Sequence, residues 1–121
     1  MNTVDLQAYS YQDRHGILPS LTAAFTHSGG WVIERKTVSP QSMEFVFEIQ
    51  LSGIVELYAS LVSTGVELTT AAHAMLNDLC TCRHHLARTS LSNQILSLRL
   101  TLSFLEDVTL HSLLMTGTGI A

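Results

Sequence analysis

The chain has 121 residues, 46% of them apolar and 13% charged, a length that suits one ordinary domain with a single core. Charge is sparse, so part of the surface is expected to meet another protein. A formal net charge of −4 with six Lys and Arg leaves no basic stripe to neutralise phosphates, which argues against nucleic acid as a direct partner.

The two cysteines, Cys80 and Cys82, are one residue apart, too close to staple distant segments. The opening Met1-Asn2-Thr3-Val4-Asp5 has neither the charged start nor the apolar stretch of a secretion signal. A reducing, cytoplasmic setting is the expectation. Asp, Glu, His, Ser or Thr interrupts every apolar run before the roughly 20 residues a membrane-spanning helix needs, so no membrane is expected as a partner.

From Val4 to Tyr11, Val4, Leu6 and Ala8 alternate with Asp5, Gln7 and Tyr9, the period of a half-buried strand. Gln12-Asp13-Arg14-His15-Gly16 reads as a turn, and Ile17, Leu18, Leu21, Ala24 and Phe25 follow at helical spacing up to Gly29-Gly30, where a left-handed cap is easily made. Two alternating runs, Trp31 to Val38 and Met43 to Gln50, flank Ser39-Pro40-Gln41-Ser42 and predict a hairpin.

Ser52 can cap a second helix that carries Ile54, Val55, Leu57, Tyr58, Leu61 and Val62 and stops at Gly65. Thr69 or Thr70 can cap a third, with Ala72, Met75, Leu76 and Leu79 on one stripe and a less clear continuation to Leu86. Leu96, Leu98, Leu100, Leu102 and Phe104 then alternate with Ser97, Arg99, Thr101 and Ser103, the plainest strand in the chain. The segment ending His111–Gly119 shows no firm period. It reads as a C-terminal tail, frayed or docked on a partner.

Strands with one apolar face need helices to cover that face. The order therefore predicts an α+β, ferredoxin-like βαββαβ sandwich with an extra helix before the last strand, and an antiparallel sheet in the order 4-1-3-2. One domain over residues 1–108 and a tail over 109–121 complete the expectation.

The junction Asp13-Arg14-His15-Gly16-Ile17-Leu18 lies between a strand and a helix. It resembles the ACT family of amino-acid-sensing domains, many of which read Asp-Arg-Pro-Gly-Ile/Leu-Leu at this point, including stand-alone members similar to the glycine cleavage system repressor. His15 stands where the family has proline, and the third helix lies outside the family pattern. The likeness is closest over residues 4–50. It implies a regulatory module that binds an amino acid at Asp13, His15, Gly16, Ile17 and Leu18, dimerises, and modulates a partner protein without catalysis or cofactor. Physical chemistry supports the same place. A helix N-terminus carries unpartnered N–H groups and partial positive charge that can receive a carboxylate, and an ionised Asp13 can receive an ammonium group. Equally, Asp13 can cap the helix and Gly16 can permit the turn.

The alternative reading rests on Cys80-Thr81-Cys82-Arg83-His84-His85, which holds soft thiolate and imidazole donors. Structural zinc sites separate paired cysteines by about two to four residues, and on a helix Cys80 and Cys82 point about 200° apart. A metal-binding or thiol-using protein, or a ligand-free structural dimer, stands beside the leading expectation. Glu34, Glu44 and Glu48 fall on hairpin strands and read as a polar sheet face, while His27 and His73 have no acidic neighbour at helical spacing.

Overall fold

A computed structural model describes residues 3–85 and 94–105. The element order is β1 (Val4–Ser10), α1 (Arg14–His27), β2 (Trp31–Ser39), β3 (Ser42–Gln50), a 3₁₀ turn (Leu51–Gly53), α2 (Ile54–Ser63), β4 (Glu67–Leu68), α3 (Thr70–His85) and β5 (Ile95–Phe104). The strands form one mixed sheet in the order β2-β3-β5-β1-β4.

The architecture is α+β, with the helices packed on one sheet face. Met43, Phe45, Phe47 and Ile49 of β3 and Leu98, Leu100, Leu102 and Phe104 of β5 are buried, as alternation requires. Leu6 and Ala8 join them from β1, and Leu96 is partly buried at the β5 start. Ile17, Leu21, Ala24 and Phe25 face them from α1, Ile54, Leu57 and Leu61 from α2, and Ala72 and Leu76 from α3. Phe25 stacks on Phe47 with ring centroids 4.3 Å apart, fixing α1 over β3. Met75 departs from the expected stripe and is exposed.

The expected antiparallel 4-1-3-2 sheet is not what forms. β5 pairs antiparallel with β3 and parallel with β1, whereas β4 adds to the far side of β1. The extra helix explains this. A single crossover helix would return the last strand parallel to β3, but α2 and α3 reverse the chain once more, so β5 fits between β3 and β1. Two-residue β4 gives no periodic signal, and its Leu68 is buried opposite Ala8.

The open sheet face is polar. Lys36, Glu44, Arg99 and Asp5 form a chain of alternating charges from β2 to β1, with N···O separations of 3.8, 3.6 and 3.4 Å. Pairs this exposed contribute up to about 1 kcal/mol each. Glu34 belongs to the same face, because it pairs with Val46 rather than with a core position. Among the described residues no helix is long and apolar enough to cross a membrane. The predicted tail begins beyond them.

Candidate functional site

Helix α1 starts earlier than the Ile17 expected from its apolar spacing, because Asp13 caps it. The Asp13 backbone is extended (φ −69°, ψ 169°) and its side chain accepts from the Gly16 N–H at 2.7 Å. Its carbonyl oxygen accepts from the Gly16 and Ile17 N–H groups at 3.1 Å each. Two first-turn donors are thus used by the chain itself. Gly16 does not have a left-handed backbone; a Cβ there would lie 3.1 Å from Asp13 Oδ1 and from Gln12 Oε1.

The five residues of the predicted site separate by direction. Ile17 is 1% exposed and belongs to the core. Asp13 and Gly16 form the cap. His15 and Leu18 line a groove of about 610 Å³ that runs along the outer flank of α1. Thr22 and Thr26 extend that flank at helical spacing, Pro19 and Ala23 lie between, and Arg35 of β2 closes the opposite side.

Arg35 escaped the sequence reading. Simple alternation along β2 does not show where it faces, because the register shifts between Val32 and Glu34, and a bulge moves every later side chain to the other face. Arg35 then pairs with Phe45, which pairs with Leu100, which pairs with Leu6. One cation therefore sits in a row whose other members are buried and apolar. A charged residue in that row is the signal that pairing reveals.

The other described imidazoles and thiols lie elsewhere. Tyr58 Oη and His73 Nδ1 are 2.5 Å apart between α2 and α3, a partner for His73 that helical spacing alone could not show. His27 lines a second groove of about 380 Å³ between α1 and α2. Cys80 is half-buried against the core and Cys82 is exposed on α3. The described residues contain no group of three or more His, Cys, Asp and Glu placed to hold a metal ion; the side chains of His84 and His85 lie outside them. Trp31 is exposed at the sheet edge and donates through Nε1 to Glu48 Oε1 at 3.2 Å.

No protein-family model matches the chain, and neither the curated proteins nor the solved structures contain a match.

Proposed function

We propose that this chain is a small-molecule-binding regulatory module, related in build to ferredoxin-like ACT domains, that works as a homodimer and modulates a partner protein. Its ligand is an amino acid or a closely related small carboxylate. The observation that carries the reading is the convergence of His15 and Leu18, from the Asp13–Leu18 junction, with Arg35 on one groove. A cation facing a partly apolar cleft suits a small ligand with an anionic head.

The dimer part of the reading is supported by β2. It is an edge strand, and Trp31 to Val38 are exposed throughout, with Trp31, Val32, Ile33 and Val38 apolar. An unpaired edge of this kind invites strand addition, and a second copy there would close the groove on the Arg35 side.

Thermal-shift screening against amino acids and their keto and hydroxy analogues tests the ligand, since a compound selective for the folded state raises its stability by mass action. Sedimentation at tens of micromolar tests the assembly. A stabilising compound whose effect is lost in Arg35→Gln, and a species of twice the 13.3 kDa chain mass, are the expected results. No stabilising compound together with a monomer would reject the proposal.

A further inference from the structure

Resting on this reading of the groove, we infer that its preferred ligand is a monocarboxylate with an apolar body and no ammonium group, such as an α-keto acid, rather than the amino acid itself.

Among the described residues Lys36 pairs with Glu44, Arg99 with Asp5 and Glu44, and Arg14 with the Pro40 carbonyl. Arg35 forms no salt bridge with any described residue, although it shares a row with Phe45, Leu100 and Leu6. A guanidinium offers a planar fork of donors matched to a carboxylate. An anion in the groove would provide the counter-charge that the described residues do not.

The same described residues offer no counter-charge for an ammonium group. Among the described residues no carboxylate lines the groove. Asp13, which an amino acid would need, is turned onto its own helix through the Gly16 N–H. Glu34, Glu44 and Glu48 lie across the sheet from the groove by register, and Glu44 and Glu48 have partners there. The His15 carbonyl has no N–H to accept from at Pro19, and a proline ring at this position crowds that oxygen. Leu18, Pro19 and Ala23 instead supply apolar wall, and Thr22 and Thr26 supply hydroxyls that can donate to a carboxylate or keto oxygen. Bringing an ammonium group into such a site strips water from it and gives it hydroxyl oxygens at most, with no opposite charge among the described residues.

The test uses the full chain in calorimetric titration with matched pairs, leucine against its α-keto acid and phenylalanine against phenylpyruvate. The keto acid should bind about tenfold more tightly than its amino acid, the difference expected from one unmatched charged group. Arg35→Gln should weaken keto-acid binding at least about tenfold without lowering the melting temperature of the free protein, and Asp13→Asn should leave the affinity unchanged. An amino acid that binds as tightly as its keto acid, or a loss of affinity in Asp13→Asn, overturns this inference and leaves the groove as the site. Binding that survives Arg35→Gln, or no binding by either class, overturns the inference and the groove reading together.

Discussion

The guanidinium of Arg14 lies 5.1 Å from the ring centroid of Phe104, and its Nη2 donates to the Pro40 carbonyl at 2.7 Å. One side chain at the start of α1 thereby ties the β2–β3 turn to the end of β5. The arrangement commits the face of the Arg14 guanidinium to Phe104 and its Nη2 to the Pro40 carbonyl, and Arg14 does not line the groove. Arg14→Ala should lower stability by about 1–2 kcal/mol, the sum of a partly exposed cation–π contact and a hydrogen bond. Urea denaturation checks this; an unchanged midpoint would mean that the contact is not maintained in solution.

Two glycines separate two physical reasons for the residue. Gly29 has φ of +86° with open space where a Cβ would be, whereas at Gly53 a Cβ would lie 2.5 Å from the Ser28 carbonyl oxygen. Gly29→Ala should cost about 1 kcal/mol through backbone strain alone. Gly53→Ala forces backbone apart where the 3₁₀ turn meets the α1 cap, and should cost up to about 3 kcal/mol. Thermal unfolding of both variants ranks them, and a larger loss at Gly29 would refute the packing argument.

Tyr11 and Glu67 join the end of β1 to β4 through a hydrogen bond of 2.6 Å from the phenol to the carboxylate. That hydrogen bond, and then the negative charge of Glu67, hold the Tyr11 hydroxyl above the ordinary phenol pKa. The sign follows from linkage. Raising the folded pKa favours the neutral phenol, so the contribution to stability is complete below the unfolded value of about 10 and is lost as pH rises through the folded value. In Glu67→Gln the Tyr11 titration should move down toward the ordinary value, as followed by the ring carbon shifts of Tyr11 against those of Tyr9 and Tyr58. An unmoved titration would show that the bond is not populated.

The sheet was legible in the sequence where one face is buried and the other wet. β3 and β5 read correctly because Phe45, Phe47, Leu98 and Leu100 alternate with polar neighbours and each strand is buried on one face only. Strand order was not legible, because it depends on how many times the chain reverses between β3 and β5, and two-residue β4 leaves no period to detect. Of the candidate site, the junction was visible through its residue types, and the direction of each side chain was not. Ile17 and Leu18 are adjacent and equally apolar, yet helical rotation sends Ile17 into the core and Leu18 to the groove. Arg35 was hidden by the bulge that precedes it.

The cap of α1 offers a test that isolates Asp13 from any ligand. Its carboxylate accepts from the Gly16 N–H at 2.7 Å, and Asn caps about as well as Asp, so Asp13→Asn should leave stability nearly unchanged whereas Asp13→Ala should lose about 0.5–2 kcal/mol. Gly16→Val should fold but lose a comparable amount, because its Cβ would lie 3.1 Å from Asp13 Oδ1 and would displace the oxygen that makes the cap. If both substitutions act through that one oxygen, their effects cannot add. In the Asp13→Ala background the penalty of Gly16→Val should shrink by about 0.5 kcal/mol or more, the range in which touching residues couple. The full double-mutant cycle, measured by urea unfolding at one pH, decides the matter. Strict additivity would show that Gly16 is constrained by something other than the Asp13 carboxylate.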